Sequence, residues 1–292
     1  MFILSLVLFL VAALLHISIH TIIYKAHLKD KQYYLIQISS IIDALFALNC
    51  FLFVINKVFE VEPPEQLLVT ISTTLYLFHY LSLNIMTLIA LDRIIAVKYC
   101  LRYHTLVTKS KLNSTILVCC ITNFGILCCF YFLSGYENFS QSMVIYTGKG
   151  VPIFTTTIRA STCLTIIVLG RMTIHLRDES EKALKKLTNI HGVKAEKLNR
   201  FKIMKRSIKD VIKLNFCACI FLFPATMASF CLSMDIVPNL AFRINCFLYA
   251  IYIFSNPLLY LICFTKIRQY WYRKSSHIVL QIHLLNLLKL SS

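Results

Sequence analysis

The sequence predicts an all-α membrane protein: a seven-transmembrane helix bundle with a short amphipathic eighth helix. Three observations carry this expectation. Of its 292 residues, 58% are hydrophobic and 15% are charged, with a mean hydropathy of +0.71. A soluble domain is nearer half apolar and a quarter charged. The apolar residues fall into runs that each reach the roughly 20 residues a bilayer span needs. The basic residues gather in alternate connections between those runs. A bilayer core offers backbone groups no water, so long apolar runs become helices.

In order, the expected spans are Phe2–Tyr24, Tyr33–Val54, Leu67–Val97, Leu112–Leu133, Val151–Ile174, Val211–Leu232 and Phe242–Phe264. The first begins almost at Met1. It lacks a basic leader and a small-residue cleavage site, so it reads as a retained helix and not a signal peptide. The connections after spans one, three and five carry Lys25, Lys29 and Lys31; Lys98, Arg102, Lys109 and Lys111; and a long run from Arg171 to Lys209. The opposite connections carry few cations: Lys57 beside Glu60, Glu62 and Glu65; Lys149 with Glu137; Arg243 with Asp235. Positive residues stay cytoplasmic, which puts the N-terminus outside and the C-terminus inside. The formal net charge of +17 therefore lies beside the membrane. It suits anionic membrane lipid and a cytoplasmic partner better than nucleic acid.

The segment from Glu181 to Lys209 contains helical patches split by Gly192, which predicts that helices five and six extend into the cytoplasm. It reads equally as a solvated basic loop or as a surface for an acidic partner. After the last span, Ile267, Tyr270 and Trp271 share one helical face, with Lys266, Arg268, Arg273 and Lys274 around them. That pattern predicts an amphipathic helix on the inner membrane surface. The chain thus divides into a bundle, 1–264, and a tail, 265–292.

The twelve cysteines do not form a secreted framework or a metal-binding pattern; most sit in the spans as small packing residues. Cys231 and Cys246 flank the last outer connection and read either as a disulfide or as two buried thiols. Asn138-Phe139-Ser140 is a glycosylation sequon in the expected second outer loop. Asn113-Ser114-Thr115 also matches but falls on the cytoplasmic side.

Three groups of polar residues stand out. Asp92-Arg93 closes the third span, where charge is costly unless it serves a function or sits at the water boundary. Asn256-Pro257-Leu258-Leu259-Tyr260 lies in the seventh. Asp43 lies midway along the second, in Ser39-Ser40-Ile41-Ile42-Asp43. An acid at that depth is a functional candidate, or else a structural acid bonded to nearby hydroxyls.

Asp92-Arg93-Ile94 and Asn256 to Tyr260 resemble the D-R-Y and N-P-x-x-Y motifs of the rhodopsin-like G-protein-coupled receptors, and they fall in the third and seventh spans. The resemblance implies a multi-pass plasma-membrane receptor that binds an extracellular small-molecule ligand and activates a cytoplasmic heterotrimeric G protein. It implies that Asp92 holds Arg93 at rest, that Arg93 meets the G protein in the active state, and that Tyr260 swings inward on activation. Pro224 matches the sixth-helix proline. It either makes that helix a lever or only shapes its packing. The resemblance also implies a polar cluster of Asp43, Ser82 and Asn256, which in the family often holds a sodium ion. Their oxygens suit such a hard cation. No other cofactor is expected.

Several positions depart from the family pattern. Ile94 replaces the tyrosine after Arg93, Leu222 stands in place of tryptophan, and Met204 stands where many members place an acid. The first-helix asparagine is missing from Ala12-Ala13-Leu14-Leu15-His16. No cysteine is available for the family's usual outer disulfide. Leu101 to Thr108 looks like the second inner loop of odorant receptors and is similar to the melanocortin and adenosine groups. Leu75 and Ala250 stand where amine receptors carry aspartate and opsins carry lysine, which argues against an amine or retinal ligand.

Helical spacing points Leu75, Tyr76 and His79 of the third span, with Thr226 and Ser229 of the sixth, into an outer pocket. His79 reads there as a ligand contact or as an ordinary buried histidine. No nucleophile, base or metal set suggests an enzyme. The competing readings are a polytopic transporter, which more often shows repeated halves and several midplane charges, and a receptor fold that does not signal.

Overall fold

The structure, a computed structural model, describes residues 1–28, 30–59, 64–99, 102–145 and 238–273, with individual positions between 160 and 182 and between 212 and 231. Every regular element among the described residues is helical. These are α1 (Phe2–Lys25), α2 (Lys31–Val58), α3 (Glu65–Lys98), the single turn α4 (Tyr103–Leu106), α5 (Lys109–Ile145) and α6 (Pro238–Cys263). Residues 265–273 form a further helical segment after Phe264. The expected fifth and sixth spans, and the basic run between them, fall mostly outside the described residues.

Local chemistry explains several boundaries. At the end of α1, the Leu28 N–H bonds to the Ile23 carbonyl and the His27 N–H to the Tyr24 carbonyl. His27 takes a left-handed φ of 47°. This is the Schellman stop, with histidine where glycine is commoner. At the start of α5 the Thr108 hydroxyl accepts from the Lys111 N–H at 3.3 Å, the N-cap arrangement. Pro257 sits inside α6.

Five helices among the described residues are long and apolar enough to cross a membrane: Phe2–Lys25, Lys31–Ile55, Val69–Ala96, Lys109–Cys129 and Arg243–Cys263. Their surface agrees. In α1, Ile3, Leu4, Val7, Leu14 and Ile17 are exposed, while Ser5 and His16 are buried. An apolar exterior around a partly polar interior is the pattern of a helix bundle in lipid. The chain is therefore a membrane-spanning helical protein. In the bundle, α2 lies between α1 and α3, α5 packs on α3, and α6 packs on α1 and reaches α2. The core runs along the α1, α2, α3 and α6 faces.

One boundary corrects the sequence reading. The fourth span was expected to end at Leu133, yet α5 continues to Ile145. At 1.5 Å per residue its 37 residues extend about 55 Å, well beyond a hydrocarbon core of about 30 Å. The apolar run ends near Leu133, but no proline follows to stop the helix. Asn138 thus falls on the helical stretch beyond the apolar run, where a loop was expected.

Candidate functional site

A polar axis runs through the apolar core in three layers. At one end of the bundle, Asp92 and Arg93 occupy the last turns of α3. Arg93 donates to Asp92 Oδ2 through both Nε, at 2.9 Å, and Nη2, charge-assisted bonds that converge on one oxygen. Asp92 is buried and Arg93 nearly so. Two further side chains complete the cluster. The Tyr103 hydroxyl of α4 donates to Asp92 Oδ1 at 2.6 Å. Arg93 Nη1 donates to Gln32 Oε1 of α2, also at 2.6 Å. Burial, followed by the neighbouring Asp92 carboxylate, raises the Tyr103 phenol above its ordinary range, so it remains a donor at any physiological pH.

Basic side chains surround this end. Lys31 lies over the Tyr103 ring and bonds to the Val107 carbonyl. Lys109 lies over Tyr34, whose hydroxyl meets Asn113 Oδ1 of α5 at 2.5 Å. Lys266, on the segment after α6, lies over Tyr33 and pairs with Asp30. On that segment Ile267 is fully buried, while Tyr270 and Trp271 are half-buried. Lys274 and the rest of the tail lie outside the described residues.

The second layer is centred on Asp43, about ten residues deeper along α3. Ser82 of α3 donates to Asp43 Oδ1 at 2.5 Å, and Ser39 of α2 to Oδ2 at 3.3 Å. Ser39 also meets the Tyr260 hydroxyl at 3.1 Å. Asn256 is fully buried beside the same carboxylate, yet neither its Nδ2 nor its Oδ1 makes a hydrogen bond of good geometry. His16 of α1 lies within electrostatic reach of Asp43. Its Nε2 is 3.2 Å from the Ile253 carbonyl of α6. The donor set fits a small hard cation: two carboxylate oxygens, two hydroxyls and the unpartnered Asn256 Oδ1.

The third layer is a cavity of about 40 Å³ lined by Phe9 of α1, Phe46 and Cys50 of α2, Leu75 and His79 of α3, and Asn245, Cys246 and Tyr249 of α6, with Phe53 and Val54 at its edge. Its floor is aromatic. Tyr249 meets His79 Nε2 at 3.2 Å, and Phe46 packs on both rings, with centroids 5.2 and 6.2 Å away. The volume holds two or three waters.

The structure brings Asp43, Ser82 and Asn256 together, and Asp92 with Arg93, as the sequence reading expected. Tyr260 is buried and joined to Ser39. Leu75 and His79 face the cavity. Tyr76 stacks on Tyr80, and Thr226 is buried. Ser229, Leu222 and Met204 lie outside the described residues, and Pro224 is a helical, exposed residue. Cys231 and Cys246 are free thiols, so the disulfide alternative fails.

Sequence reasoning missed Gln32 and Cys50, and gave no role to Tyr103, Ser39 or His16. Ser39 was within reach: it stands four residues before Asp43, on one helix face. Gln32 carried no signal. The chain matches no protein-family model, and no curated protein matches it.

Proposed function

We propose that this chain is a rhodopsin-like G-protein-coupled receptor: seven transmembrane helices, the N-terminus outside the plasma membrane, and the 265–273 segment as an eighth helix on the inner surface. The observation that carries the reading is the Asp92–Arg93 pair, buried at the end of α3 and joined to α2 by Gln32 and to α4 by Tyr103. A charge cluster that ties three elements together at the end of a membrane bundle is a lock whose opening changes the inner surface. An inner surface rich in lysine and arginine suits an acidic G-protein face.

The other layers supply input. An extracellular small molecule enters between α1, α2, α3 and α6. At about 40 Å³ against the several hundred a typical ligand needs, the cavity describes a resting state that must widen. Its His79 floor lies three residues from Ser82, about one helical turn. Widening therefore bears directly on the Asp43 cluster. Asp43, Ser82 and Asn256 would hold a sodium ion, whose charge would stabilise the resting arrangement of the carboxylate.

Arg93→Ala tests the reading. The expected result is loss of G-protein activation, both basal and driven by a panel of odorants, peptides, lipids and nucleosides. Read per surface copy, ligand affinity should stay within several-fold of the parent, since coupling between sites is typically about 1–3 kcal/mol. Full coupling by the variant would remove the mechanism.

A further inference from the structure

A proline inside a helix has no N–H to give, so the carbonyl four residues earlier loses its intrahelical partner. For Pro257 that carbonyl belongs to Ile253. His16 of α1 stands opposite it, with Nε2 at 3.2 Å. A carbonyl only accepts, so Nε2 carries the proton and donates. Both residues are fully buried. In the membrane no water is at hand to satisfy the carbonyl in place of the histidine. We propose that His16 is a positioning residue: it supplies the hydrogen bond that the Pro257 break removes from α6, and so latches α6 to α1 in the resting state. The latch itself stands on the geometry. Its part in switching rests on the receptor reading above.

The surroundings fit the role. Ala12 and Ala13, one turn before His16, are fully buried, and such small residues let two helices approach closely. Asn256 and Tyr260 follow Ile253 by three and seven residues, on the same face of α6. The angle of α6 at the break therefore sets where Asn256 meets Asp43 and where Tyr260 meets Ser39. An apolar side chain at position 16 would fill the space and leave the carbonyl without a donor. Glutamine there would keep an N–H at similar reach.

The test is a melting cycle on the purified full-length chain in detergent. His16→Leu should lower the Tm by about 2–4 °C, the size expected for one lost hydrogen bond. Pro257→Ala returns an intrahelical donor to Ile253, so in that background His16→Leu should cost less than half as much. Equal losses in the two backgrounds would overturn the latch. Should the His16→Leu protein fail to fold, His16→Gln decides: melting close to the parent supports the donor role, and a full loss overturns it. For switching, basal G-protein activation per surface copy should rise roughly fivefold in His16→Leu, the low end of typical allosteric coupling, and stay at the parent value in His16→Gln. An unchanged basal level in a parent that signals would overturn the switching role. A silent parent would count against the receptor reading, and the melting cycle would still decide the latch.

Discussion

Asp43 and Asp92 are buried carboxylates on adjacent helices, and their charges are met in different ways. Asp92 touches a guanidinium and takes a further hydrogen bond from Tyr103. Asp43 takes its hydrogen bonds from the hydroxyls of Ser39 and Ser82, and no cationic side chain among the described residues forms an ion pair with it. His16 acts on it only from farther off. An ion moved out of water costs several kcal/mol unless it is well paired. At the boundary that cost is offset by a fixed local partner. At mid-depth it is left open to an external cation or a rearrangement of the bundle. In the proposed receptor the first arrangement makes a lock and the second a sensor.

Breaking the lock should have the largest effect on stability. Arg93→Ala leaves a buried carboxylate with only Tyr103, and breaking such a pair typically costs about 3–5 kcal/mol. Detergent melting should show this as the steepest loss of any single change in the cluster. Asp92→Asn releases the same arginine, which keeps Gln32 as a partner and is less buried than the carboxylate. It should raise basal G-protein activation, whereas an unchanged basal level would mean that Asp92 does not restrain Arg93. Tyr103→Phe removes one hydrogen bond to a charged group, worth about 1.5–3 kcal/mol, and should raise basal signalling less than Asp92→Asn does.

The sensor should respond in the opposite sense. Asp43→Asn keeps one acceptor oxygen for Ser82 and sheds the buried charge, so stability should change by less than about 1 kcal/mol. Sodium sensitivity of agonist binding should disappear. A sodium response that survives the substitution would show that Asp43, Ser82 and Asn256 do not hold the ion. The smallest effect belongs to a site remote from both acids. An added Cβ at Gly125 of α5 meets nothing within 4 Å, so Gly125→Ala should gain about 0.5–1 kcal/mol by helix propensity and leave signalling alone.

Five of the expected spans and the two acids were legible because each is a one-dimensional signal. Apolar length marks a membrane helix, and a carboxylate inside such a run is conspicuous. The grouping of Asp43 with Ser82 and Asn256 came from family resemblance; in the structure the two stand beside Asp43. Gln32 and Tyr103 were not legible as partners of the charge pair, because their roles depend on how α2 and α4 sit against α3. The remaining walls of the cavity were not legible for the same reason. Helical spacing told which side of α3 carries Leu75 and His79, but not that Phe9, Phe46 and Tyr249 would close around them. The overlong α5 escaped notice because hydropathy ends where the membrane ends, while a helix ends only where its backbone is stopped.

The α1–α6 seam has a consequence for how the protein is made. Its hydrogen bond joins residues 237 positions apart, one in the first described span and one in the last. Synthesis delivers N-terminal segments first, so α1 and α2 can pair early across their short Schellman-capped turn. The side of α1 that carries Ser5, Phe9 and His16 then waits for nearly the whole chain to emerge. Until α6 arrives, His16 has no Ile253 carbonyl to bond, and a chain that stops before α6 never supplies one.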